Sequence, residues 1–212
     1  MNPVGYFIYS FITLFVIVSP ITAVITFITL TNNLTLDEKN VIAKKSVALA
    51  FVIAVFFMFT GNIILDVLGI SLDSLKVAGG LLLIMIAFEM MQAKTSRESI
   101  TDKEMDESSK RDDIWIFPIA MPILTGPATI TTVIVLTETA GLVQQKTLIM
   151  LALVLTYSIT LVTFLFSRRI HKKIGYNGML VLTRLFGLFL GAISVSMIAS
   201  GIWGIYLSLN PL

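Results

Sequence analysis

The stretch Val18-Ser19-Pro20-Ile21-Thr22-Ala23-Val24 lies in the middle of an apolar run, and its core pattern returns as Gly126-Pro127-Ala128-Thr129. Both copies read small residue, proline, apolar residue, threonine. Proline has no backbone N–H and its ring clashes with the carbonyl one turn earlier, so each copy is expected to interrupt its helix. In hydrocarbon a loosened backbone is tolerated only where it faces protein or a watery cavity. The two breaks are therefore the first place to look for a site.

The surrounding composition decides the solvent. Of the 212 residues, 56% are hydrophobic and 13% charged, and the mean hydropathy is +0.93. A soluble domain of this length lacks the polar surface to cover so much apolar material. The chain reads as an all-α membrane protein of six spans. Each needs about 20 residues to cross ~30 Å of hydrocarbon. The expected spans run from about Tyr6 to Leu30, Val41 to Leu65, Leu72 to Gln92, Ile114 to Thr137, Thr147 to Phe166 and Met179 to Tyr206. The fourth carries Pro118, Pro122 and Pro127 and should be the most bent. The first has no basic n-region or small-residue cleavage site, so it reads as a retained span.

The basic residues set the expected orientation. Lys39, Lys44 and Lys45 follow span 1; Lys94, Arg97, Lys103, Lys110 and Arg111 follow span 3; Arg168, Arg169, Lys172 and Lys173 follow span 5. Cytoplasmic loops are enriched in Lys and Arg, so these three connections belong inside and both termini outside. A multi-pass protein of the cytoplasmic membrane is expected. The chain forms one transmembrane domain, 1–212, with a polar cytosolic loop at 94–113.

The two halves resemble each other. Pro20 and Pro127 lie 107 residues apart, and Lys76-x-x-Gly79-x-x-Leu82 reappears as Arg184-x-x-Gly187-x-x-Leu190, 108 residues on. Three spans per half, about 1–93 and 114–212, make the second copy enter the membrane inverted. Inverted repeats with broken helices are the sequence pointer to a secondary transporter.

A split helix exposes amide N–H groups where its second half begins, and these favour anions. The expected substrate-binding set is therefore Ser19, Pro20, Ile21, Thr22 and Ala23 with Thr125, Gly126, Pro127, Ala128 and Thr129. Ordinary proline kinks with back-bonded hydroxyls are the alternative. Gly79, Gly80, Gly187 and Gly191 suit close helix packing, or gating if their helices press on the broken ones. Lys76 and Arg184 can snorkel to the interface. Glu89 and Glu138 lie near span ends, and His171 sits in a basic cluster. A site made of backbone dipoles, hydroxyls and small side chains suits a small zwitterion. An intramembrane enzyme would need a nucleophile and base, or metal ligands, at depth. The chain has no Cys, its one His is in a loop, and no span carries a central carboxylate pair. No catalytic residue, metal, cofactor or nucleic-acid partner is expected.

The run FPIAMPILTGPATITTVIVL, Phe117 to Leu136, and the run LTRLFGLFLGAISVSMIASGI, Leu182 to Ile202, resemble the two signature stretches of the MarC family. The family pattern, close to P-x-A-x-P-x-x-x-G-P-G, is matched at Pro118, Ala120, Pro122, Gly126 and Pro127, with Ala128 in place of the last Gly. In span 1 the family has N-P-x-G or D-P-x-G, where this chain has Ser19 for the polar residue and Thr22 for the Gly. The resemblance implies a six-helix inner-membrane protein and, from some members, transport of small neutral amino acids such as glycine and alanine. It also implies coupling to an ion gradient, with H+ or Na+ as the cation. Export of other solutes or drugs, a passive channel and a non-transporting scaffold are the alternatives, and a homo-oligomer is compatible with all of them.

Overall fold

The computed structural model describes residues 2–92 and 113–210, and these are helical without a strand among them. The expected cytosolic loop at 94–113 lies almost wholly outside the described residues. The order is α1 (Pro3–Val18), α2 (Pro20–Leu30), α3 (Leu36–Leu68), α4 (Leu72–Met91), α5 (Trp115–Leu124), α6 (Pro127–Glu138), α7 (Val143–Leu165) and α8 (Ser167–Leu209). Five helical stretches are long and apolar enough to cross a membrane, counting Pro3–Leu30 as one. There are six if α5 and α6, bent by 52° at their junction, form one span.

Caps carry several helices beyond the apolar windows. The Asn2 side chain accepts from the Gly5 amide at 2.7 Å and starts α1 before Tyr6. Thr35 and Glu38 cap each other, with the Thr35 amide donating to the Glu38 carboxylate at 2.7 Å, so α3 begins at Leu36 rather than Val41. The largest departure from the sequence expectation is at the C-terminal side. The basic stretch after Phe166, expected as a loop, is helical, and only Gly175, with φ 71° and ψ 166°, breaks it before the apolar part of α8.

Two buried clusters organise the bundle. One joins α1, α2, α3, α5, α6, α7 and α8 through Leu14, Phe27, Ala50, Leu124, Val133, Leu153 and Met179. The other joins α1, α4, α6 and α8 through Val16, Leu83, Ala87, Ala128, Val135 and Leu190. Helices α1, α6 and α8 contribute to both. Residues Thr131 to Thr137 of α6 are all buried, as befits a helix enclosed on every side. The outer face of α3 shows the opposite chemistry. Val52, Phe56, Phe59 and Ile63 repeat at helical spacing and are each more than half exposed. An exposed apolar stripe of this length has its natural solvent in lipid.

Helices α4 and α8 meet along a seam of glycines. A methyl placed on Gly187 would lie 2.9 Å from Met90 Cβ and 3.0 Å from the Ala87 carbonyl, and one on Gly80 would lie 3.0 Å from the Ser194 carbonyl. Gly79 faces Thr131 of α6 and Met197, whereas Gly191 has only an ordinary 3.7 Å approach to Ala87. Lys76 pairs with Asp73 at 2.6 Å at the start of α4.

Candidate functional site

Helix α1 ends at Val18, Ser19 adopts a left-handed conformation at φ 44° and ψ 64°, and α2 begins at Pro20. The backbone stays tied on both sides of this point, since the Ser19 amide donates to the Phe15 carbonyl at 2.9 Å and the Ala23 amide to the Ser19 carbonyl at 3.0 Å. Pro20 has no N–H to give. In the first turn of α2 the amides of Ile21 and Thr22 are thus left without a partner in their own helix.

The approach to α6 is built differently. The residue before a proline is pushed from helical to extended backbone, and Phe117 and Met121, before Pro118 and Pro122, sit at φ −122° and −134° with ψ 124°. Both proline peptide bonds are cis. Helical turns around them are wide: the Ile119 amide donates to Ile114 at 3.4 Å and the Thr125 amide to Ala120 at 3.0 Å, each five residues back. Gly126 then passes so close to Pro122 that a Cβ would lie 2.7 Å from its carbonyl oxygen. No other residue fits there without displacing backbone. Helix α6 starts at Pro127, and its first internal bond runs from Ile130 to Gly126 at 3.0 Å. The amides left over are those of Ala128 and Thr129.

The two helix starts thus share one donor arrangement: proline first, two free amides next, and no side-chain cap. They also share a cavity of about 80 Å³, several times the ~10–15 Å³ that one water requires. Of the residues singled out in the sequence, Ser19, Thr22, Ala23, Gly126, Ala128 and Thr129 line it, with Ile17, Val18 and Thr26 beside them. Ile86 and Met90 of α4 and Pro122 and Ile123 of α5 complete the wall. Pro20, Ile21 and Pro127 shape the helix starts without lining the space. Thr125 is turned away: its hydroxyl donates to the Ala50 carbonyl at 2.9 Å and shares a hydrogen bond of 2.6 Å with the Tyr157 phenol, locking the junction to α3 and α7.

Three polar residues follow one another at the α2 end. Ser19 Oγ lies 2.8 Å from Thr22 Oγ1, which lies 3.2 Å from Thr183 Oγ1 on α8. Thr183 and Tyr157 were not among the residues the sequence singled out. The repeat offset of 108 sets Thr183 against Leu75, so comparing the halves points to no polar group there. Gly79, Gly80, Gly187 and Gly191 lie off the cavity, although α4 reaches it through Ile86 and Met90.

Apolar helices with a lipid-compatible exterior, enclosing a small cavity lined by backbone ends and hydroxyls, define a polytopic integral membrane protein. The chain belongs to the MarC family, whose model, described as "MarC family integral membrane protein", matches residues 4–206. It is 40% identical over 199 residues to the UPF0056 membrane protein MJ1677 of Methanocaldococcus jannaschii, covering 94% of this chain and 97% of that one. It is 34% identical over 203 residues to the UPF0056 membrane protein YvbG of Bacillus subtilis, covering 95% and 96%. With the UPF0056 membrane protein YhcE of Escherichia coli it shares 31% identity over 199 residues, covering 92% and 91%. No solved structure matches it.

Proposed function

We propose that the protein is a secondary transporter of small neutral amino acids, of the glycine and alanine class, working by alternating access and coupled to an H+ or Na+ gradient. One observation carries this: two uncapped, proline-led helix starts from different halves of the chain line a single cavity. Their free amides, at the positive ends of two helix dipoles, suit a carboxylate. The hydroxyls and the carbonyl end of α1 suit an ammonium group. Apolar Ile86, Met90 and Ile123 bound the remaining space and favour a short side chain.

The size of the solute limits its affinity. At a ceiling of about 1.5 kcal/mol per non-hydrogen atom, a five-atom ligand gains roughly 7 kcal/mol, which corresponds to a micromolar Kd or weaker. A site that must release its solute on the other side works well in that range. In this reading the halves are inverted three-helix repeats, the termini lie outside the cytoplasmic membrane, and rocking of one repeat against the other exposes the cavity to each side in turn.

A scaffold built on the glycine faces has less support, because Gly79, Gly80 and Gly187 are already occupied by contacts within the chain. The test is counterflow of radiolabelled glycine and alanine in proteoliposomes. Saturable exchange is expected, and folded protein that exchanges none of the small neutral amino acids would refute the proposal.

A further inference from the structure

We propose that Thr183 is a positioning residue that gives the cavity its polarity, making Ser19 an obligate hydrogen-bond acceptor and so selecting a solute that carries N–H donors beside its carboxylate. The proposal takes the cavity as the solute site, as above, and follows from counting hydroxyl protons. A threonine hydroxyl has one hydrogen and two acceptor lone pairs. Thr183 spends its hydrogen on the Met179 carbonyl at 3.0 Å, one turn back in α8. Toward Thr22 Oγ1, 3.2 Å away, it can then only accept. Thr22 is therefore the donor in that pair, and its single hydrogen is used. In the next pair, at 2.8 Å, Ser19 must donate to Thr22.

All three protons point along one chain, from Ser19 to the Met179 carbonyl. The cavity-lining hydroxyl of Ser19 keeps its lone pairs and has no hydrogen left to offer. The chain is well shielded, with Ser19, Thr22 and Thr183 at 7%, 9% and 2% exposure. Such shielding strengthens each bond and its neighbour's direction. Meanwhile the start of α6, on the same cavity, offers amide donors and no side-chain acceptor of its own at the cap. One wall accepts and another donates. An α-amino acid satisfies both; a simple carboxylate leaves the Ser19 hydroxyl without a donor. Thr183 does not itself line the cavity, so it acts through Thr22.

The experiment compares alanine with propionate, which lacks only the ammonium group. Apparent affinities for the full-length protein in proteoliposomes come from alanine uptake and from inhibition of that uptake by propionate. Thr183→Val removes the terminal acceptor and frees the chain to reverse. It should lower the alanine-to-propionate preference about tenfold, acting on KM and leaving kcat nearly unchanged. Thr183→Ser, which keeps the hydroxyl, should retain the wild-type ratio. Ser19→Ala, which removes the acceptor itself, should reproduce the Thr183→Val ratio. Equal ratios in Thr183→Val and Thr183→Ser, or equal weakening of both ligands in Thr183→Val, would overturn the proposal while leaving the transport function standing. Folded wild-type protein without alanine uptake would overturn both.

Discussion

Ser19 holds a left-handed backbone conformation without being glycine, at a cost of about 1–2 kcal/mol. Its side chain puts a hydroxyl on the cavity, beside those of Thr22, Thr26 and Thr129. Ser19→Gly should therefore leave thermal stability in detergent unchanged or raise it by up to about 1 kcal/mol, while glycine counterflow falls at least tenfold. Glycines of the α4–α8 seam respond in the reverse sense. Gly187→Ala drives a methyl against the Ala87 carbonyl and Met90 Cβ and should cost about 1–3 kcal/mol of stability. Gly191→Ala meets only an ordinary 3.7 Å contact with Ala87 and should be neutral or stabilising by up to about 1 kcal/mol; melting the two variants side by side checks the contrast. At this scale the sequence was legible where chemistry repeated. The Pro-x-Thr pair led to six cavity-lining residues, but Thr125 proved to face Tyr157, because a periodic pattern does not say which way a residue in irregular backbone points. Thr183 was hidden among the apolar residues of a packing helix.

Among the elements, apolar runs located the helices well and their ends poorly, since ends are decided by polar caps. Asn2 and the Thr35–Glu38 pair extend α1 and α3 past their hydrophobic windows. Thr35→Ala removes the cap of α3 and should cost about 1 kcal/mol, seen as faster hydrogen exchange at the amides of Glu38 and Lys39 with the rest of the helix unchanged. The segment before α6 was expected to bend, and its prolines do more than that. By forcing Phe117 and Met121 into extended backbone they widen the turns and bring Pro122 over Gly126, which a count of prolines alone does not convey. Arg168 to Lys173 were expected in a loop because their charge excludes them from a span. Charge excludes a residue from hydrocarbon without excluding it from a helix, and α8 runs through all of them from Ser167.

For the molecule as a whole, the exposed apolar faces of α3, α4 and α8 and the family match define an integral membrane protein, and the proposed orientation rests on the distribution of its basic residues. With no cysteine in the chain, single-cysteine accessibility needs no prior substitution. Cysteines at Asn2 and Leu142 should react with an impermeant maleimide in intact cells, and cysteines at Lys39 and Lys172 only after permeabilisation. The most direct test of the central claim uses the amide protons of Ile21, Thr22, Ala128 and Thr129, selectively 15N-labelled and followed by NMR while glycine is added. Saturable downfield shifts at both helix starts with a single apparent Kd are predicted. Unmoved amides at these four positions, in folded protein that still exchanges glycine in proteoliposomes, would contradict the claim that the two helix starts together hold the solute.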